Sequence, residues 1–144
     1  MDVVIEKTAP ADTDAILALL TENQLPLDGI RDHLGTAVVA RSGGAVVGVA
    51  ALEVYADGVL MRSVAVSPAL HGHGLGHRLT DAVLQLARDL HAPHAYLLTT
   101  TAERYFPRFG FERIERQDVP RSVQQSIEFR SACPASAIVM RKAL

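Results

Sequence analysis

Residues 71–77 read HGHGLGH, and an apolar-periodic run, LGHRLTDAVLQLARDL, begins inside them at Leu75. Two chemistries suit such a segment. Glycines at 72, 74 and 76 clear side chains from a turn that opens a helix, so unpaired backbone N–H groups and the positive helix end can receive a phosphate. Alternatively, His71, His73 and His77 are imidazoles of the kind that bind metals. Residues two apart in a glycine turn seldom converge, however, and no carboxylate or cysteine stands beside them to complete a site. The spacing also departs from the dinucleotide fingerprint G-x-G-x-x-G, and the preceding strand belongs to a meander rather than to a βαβ unit. A pyrophosphate cradle made of backbone, with no metal, is the expectation.

Arg62 is the second conspicuous side chain. It interrupts the apolar strand candidate VLMRSVAV (59–66), where strict alternation places it on one face with Leu60, Val64 and Val66. A guanidinium there is costly unless paired. It either pairs internally with Glu53, which a tight Ala56-Asp57-Gly58 turn would bring opposite Leu60, or it is a fork for an anionic substrate group such as a carboxylate. Cys133, the only cysteine, has no His/Asn arrangement to make it a nucleophile and is expected to pack as a small residue.

The elements that must position these residues follow from pattern. VVIEK (3–7) is a strand; an apolar helix follows over DAILALL (14–20); GIRDHLG holds only a short helix. TAVVAR and AVVGVAALEVY form a hairpin about Ser42-Gly43-Gly44, and VLMRSVAV pairs back on it. Leu75, Leu79, Val83, Leu86 and Leu90 recur at helical spacing. HAYLLT is a buried strand, AERYFPRFG a short helix strained by Pro107, FERIE a strand, 122–130 a polar helix, and AIVMR a last strand.

The whole chain sets limits on function. At 144 residues it fits one domain, 1–144, able to bury a core without staples. A net charge of −2 and 5% aromatic residues argue against nucleic acid and anionic membranes. With one cysteine, no secretion signal and no long apolar run, a cytoplasmic location is expected.

VAVSPALHGHGLGHRL resembles the acetyl-CoA motif of the GNAT superfamily of N-acetyltransferases, Q/R-x-x-G-x-G/A, with His71 where the family prefers Gln or Arg. AERYFPRFGF resembles its second signature, ending in Gly110-Phe111. The resemblance implies a GNAT fold of the α/β (α+β) class, with a mixed, mostly antiparallel sheet of six to seven strands flanked by about four helices. It implies acetyl-CoA as co-substrate, with backbone of Val64, Ala65 and Val66 on the pantetheine arm. The pyrophosphate would lie on the N–H groups of Gly72, His73, Gly74, Leu75, Gly76 and His77. It also implies the Val64 N–H as donor to the thioester oxygen.

The family's tyrosine acid falls here on Phe106, with Tyr105 one step away, so either Tyr105 or else water or the substrate itself protonates the departing thiolate. The strand-four glutamate some relatives use falls on Leu60, leaving Glu53 as the candidate base. The C-terminal third, with TTT (99–101), Phe129 and SACPAS (131–136), is similar to the acetyltransferase domain of N-acetylglutamate synthase and to arsenic-resistance-associated N-acetyltransferases. That similarity implies a small amino-acid-like, carboxylate-bearing acceptor amine, with Arg62 and the hydroxyls of Thr100, Ser131 and Ser136 around it. The alternatives are acetylation of a protein or peptide amine, and a non-catalytic acyl-CoA-binding module. By the same resemblance a homodimer is possible.

Overall fold

The computed structural model describes residues 2–144. Seven strands form one sheet in the order β1-β2-β3-β4-β5-β7-β6: β1 Val3–Lys7, β2 Ala37–Ser42, β3 Ala45–Tyr55, β4 Gly58–Val66, β5 His94–Thr99, β6 Glu112–Ile114 and β7 Ile138–Ala143. All neighbours are antiparallel except β4 and β5. Helix α1 (Thr13–Glu22) covers one face of β2 and β3, burying Ile16, Leu19 and Leu20 with Ile30 and Val39. Helix α2 (Leu75–Asp89) covers the other, packing Leu75, Leu79, Val83, Leu84 and Ala87 against Ala50, Leu52, Val59 and Met61. A four-residue helix α3 (Arg121–Gln124) closes the α1 face over β4, β5 and β7, where Val119 and Val123 meet Leu60, Tyr96 and Val139.

Several expectations shift in detail. The apolar stripe of α2 ends at Ala87: Leu90 caps the helix C-terminus and is 44% exposed. The segment Ile30–Thr36 is a 3-10 helix. The Pro107 segment is likewise a 3-10 turn, Phe106–Phe109, in which the proline falls in the first turn, where its missing N–H costs nothing. The polar helix expected over 122–130 is broken in two, α3 and then a π-helical turn over Glu128–Ala132.

Two irregularities shape the centre of the sheet. In β4, Ser63 has φ of 59°, and the register with β3 slips so that Ser63 and Val64 together face Ala50. This is a β-bulge, which bends the strand and reverses the alternation beyond it. Arg62 therefore shares its face with Leu60 and, past the bulge, with Ala65, whereas Val64 and Val66 turn to the α2 side. The strict alternation that grouped Arg62 with Val64 and Val66 does not hold. Secondly, β5 runs beside β4 only at Val59–Ala95 and Leu60–Tyr96, after which the parallel strands part.

Candidate active site

Where β4 and β5 part, three adjoining cavities with shared walls lead from one face of the sheet to the other. On the α2 side lies a cleft of about 450 Å³, walled by Val64, Ala65 and Val66, by His71 to His77 except His73, and by Ala102, Tyr105, Phe106 and Arg108. A cavity of about 250 Å³ shares Asn23, Val64, Ala102 and Phe106 with it and reaches Arg62, Ser63 and Thr99. A third, also about 250 Å³, continues over Arg62, Ser63 and Thr99 to Thr100, Thr101, Glu128 and Cys133 on the α1 face.

The cleft is built as the glycine spacing required. Gly72 and Gly74 have φ of 87° and 78°, conformations that favour glycine, and a Cβ at either would stand in open space. Gly74 is the N-cap of α2, so the N–H groups of the first helical turn have no intrahelical partner. These features fit an anionic diphosphate. The histidine side chains do other things. His71 Nε2 lies 2.8 Å from the Val66 carbonyl, which can only accept, so this nitrogen donates and is withdrawn from any phosphate. Asn23 donates to the same carbonyl at 3.2 Å, leaving that group of Val66 already satisfied. His77 faces Asp81 at 3.2 Å and Phe109, and His73 is exposed outside the cleft walls. Among the described residues no group of three metal-ligating side chains assembles.

Tyr105 lines the cleft, and its hydroxyl sits 3.4 Å from where a Cβ on Gly76 would be. Burial pushes its pKa up, so it keeps its proton. Phe106, at the position where the resemblance places a tyrosine, is buried and forms the wall common to the cleft and the middle cavity.

Arg62 and Glu53 are both fully buried side chains and are paired at 2.8 Å. Glu53 stands opposite Leu60 in the ladder, as a tight β3–β4 turn demands. Its carboxylate is nonetheless not a free base. Burial alone would raise its pKa, but hydrogen bonds from Ser126, Tyr55 and Arg62 outweigh that and hold it below the ordinary carboxylate value. It also lies outside the cavity walls. Arg62 likewise is largely committed. Nη1 also donates to the Asp28 carbonyl at 2.7 Å, Nη2 to the Pro26 carbonyl at 3.1 Å, and Nε to Ser63 Oγ at 3.0 Å. Of five N–H groups one is left, so the internal pair, not a bidentate substrate fork, is the arrangement found.

Glu128 is a residue that patterning and motif alone do not single out. It is 4% exposed, lines the third cavity, and brings a second carboxylate to the same guanidinium, Oε2 lying 3.3 Å from Arg62 Nε. One cation cannot compensate two buried carboxylates. Burial and the neighbouring Glu53 charge, against the attraction of Arg62, push Glu128 up to about 7. The Cys133 thiol beside it is pushed up to about 12 by burial and by Glu128. Thr100 lines this cavity; Ser131, within the π-helical turn, and Ser136, on the turn before β7, are exposed and line none of the three cavities.

A split parallel strand pair with a glycine-capped helix at its mouth is the construction of an acyl-CoA-dependent acetyltransferase, and comparison with known proteins agrees. Residues 33–113, more than half of the chain, match the acetyltransferase (GNAT) domain family, and the chain belongs to that family. Within it, the chain is 40% identical over 113 residues to an amino-acid acetyltransferase of Mycobacterium tuberculosis, a match covering 78% of this chain and 64% of that protein. It is 26% identical over 129 residues to an amino-acid acetyltransferase of Pasteurella multocida, covering 88% of this chain and 28% of that one. Thus the chain spans less than two thirds of either relative. Its fold matches N-acetylglutamate synthase from Neisseria gonorrhoeae, solved with coenzyme A and N-acetyl-glutamate, with TM-score 0.85 at 22% identity, over 100% of this chain and 35% of that one. A Mycobacterium tuberculosis protein solved in complex with CoA matches with TM-score 0.83 at 29% identity, over 98% of this chain and 99% of that one.

Proposed function

We propose that this chain is an N-acetyltransferase that moves an acetyl group from acetyl-CoA directly to the amine of a small amino-acid-like molecule. The observation that carries this is the run of adjoining cavities at the β4–β5 split, with a glycine cradle at one end and a pocket of hydroxyls and one carboxylate at the other. Support comes from relatives named amino-acid acetyltransferase and from a fold neighbour at 29% identity that holds CoA.

Acetyl-CoA would supply a thioester whose acyl carbon is open to an amine. The chain's own groups do the rest. Backbone N–H groups from Gly72 to His77 receive the diphosphate, and the β4 edge left open where β5 parts from it presents the Val64 N–H to the developing oxyanion. Tyr105, protonated and on the cleft wall, is the candidate donor to the departing sulfur. The acceptor enters from the α1 face past Thr99, Thr100 and Thr101. An acceptor carboxylate finds there hydroxyls and the single uncommitted N–H of Arg62. Pockets totalling a few hundred Å³ fit a free amino acid better than a peptide segment.

Incubation with acetyl-CoA and each free amino acid in turn, with the product weighed by mass spectrometry, tests this. The expected result is a mass gain of one acetyl group on one or a few amino acids and none on basic peptides. Acetyl-CoA binding without turnover on any amine would instead mark an acyl-CoA-binding module.

A further inference from the structure

We propose that Glu128 is the group that takes the proton from the acceptor's ammonium, making the acceptor pocket on the α1 face a base-equipped site. This rests on the acetyl-transfer function proposed above.

Geometry carries the assignment. An amine must arrive at the β4–β5 gap uncharged, yet it travels in water as an ammonium. Glu128 is the one carboxylate in the walls of the three linked cavities, and it stands on the side from which the acceptor enters. Glu53, the carboxylate that shares Arg62 with it, is sealed behind Arg62 and engaged by Tyr55. The two thus divide the labour. Glu53 neutralises the guanidinium at 2.8 Å, and Glu128, farther at 3.3 Å, is the carboxylate left in excess. An arriving ammonium supplies the missing positive charge and then gives up its proton to relieve the same excess.

The groups facing Glu128 come from four elements. Arg62 lies on β4, Glu53 on β3, Asp28 on the loop after α1, and Cys133 on the turn before β7. His33 and Tyr55 act on it only through Glu53. Arg62 favours the carboxylate, while burial, Glu53 and Asp28 favour the acid. The balance leaves a group that can both accept and release a proton near neutrality.

The proton balance is complete. The ammonium loses one proton to Glu128, and the freed nitrogen pair forms the C–N bond. As the C–S bond breaks, its electron pair leaves on sulfur. The nitrogen loses a second proton, which ends on sulfur, giving a neutral amide and a free thiol. Glu128 returns its proton to water through the open third cavity.

The test is Glu128→Gln, which keeps the shape and removes the base, assayed on the amino acid that the wild type acetylates. Turnover should fall 100-fold or more, with acetyl-CoA Kd within twofold and an unchanged circular dichroism spectrum. The wild-type kcat profile should show an acid limb near pH 7 that the variant lacks. Glu128→Asp, which keeps a carboxylate at the site, should retain the limb and part of the turnover, so this second variant decides the matter if Glu128→Gln misfolds. Loss of turnover with the limb retained in the variant would make Glu128 a merely structural residue, and full turnover in the variant would overturn the proposal outright. If the wild type turns over no amine at all, the acetyl-transfer function itself fails. That outcome is distinct from turnover that survives Glu128→Gln.

Discussion

Replacing Glu128 by Gln should make the protein more stable at pH 8 than at pH 5, relative to the wild type. An ordinary glutamate titrates near 4.5, whereas Glu128 in the folded chain is pushed up to about 7. Between those values the folded state holds a proton that the unfolded state has released. Wild-type stability therefore falls as pH rises through that window and is level above it. A gap of about 2.5 in pKa corresponds to roughly 3 kcal/mol over the full window, of which about 2.5 kcal/mol falls between pH 5 and pH 8. Gln does not titrate, so any packing cost of the substitution is common to both pH values and drops out of the difference. Urea unfolding of both proteins at both pH values measures it. With slopes of about 1–3 kcal/mol/M, the variant's midpoint should gain on the order of 1 M relative to wild type on going from pH 5 to pH 8. Glu53 does not confuse the comparison, because its lowered pKa loses stability only as pH falls below about 4.5. An offset between the two proteins that is equal at both pH values would refute the two-carboxylates-on-one-cation reasoning.

Other consequences are more direct. Arg62→Met leaves Glu53 and Glu128 buried without their cation, so it should cost about 3–5 kcal/mol at pH 8 and less at pH 5, where Glu128 takes a proton; the same urea experiments read this. Tyr105→Phe should lower kcat tenfold or more while leaving acetyl-CoA Kd within twofold, whereas an unchanged kcat would leave Tyr105 a wall residue. The Cys133 thiol, pushed up to about 12 from an ordinary value of 9, holds about a thousandfold less thiolate at pH 8. Its reaction with Ellman's reagent should be at least 100-fold slower in the native protein than in urea.

The glycine turn and the helix start behind it were legible in the sequence because their physics is local. Gly72 and Gly74 need only their own backbone angles and the helix start that follows. The pairing of Glu53 with Arg62 was legible as one of two readings, since the β3–β4 turn fixes the register but not whether the guanidinium is spent on it. The face of Val64 was not, because Ser63 carries a positive φ with no glycine or asparagine to announce it. Tertiary constraint from both sides of the sheet overrides the residue's own preference there. Glu128 was hidden for another reason. It stands in the polar stretch PRSVQQSIEFR, whose pattern reads as a solvated helix, and it is buried only because the chain breaks into α3 and a π-helical turn. No sequence signal called for it, because one counter-charge, Glu53, already suffices for a buried Arg62. Ser131 and Ser136 show the converse, since hydroxyls close to Cys133 in sequence are exposed and do not line the pocket that it lines.

The proposed function stands or falls on whether the glycine turn at the mouth of α2 holds acetyl-CoA, which calorimetric titration of the intact protein and of Gly74→Glu with acetyl-CoA measures. At Gly74 the added side chain would project into open space on the cleft wall and bring a negative charge to where the diphosphate is to lie. Micromolar binding by the intact protein that is weakened 100-fold or more in a folded Gly74→Glu variant is the predicted result. Equal binding by the two, or none by the intact protein, would contradict it.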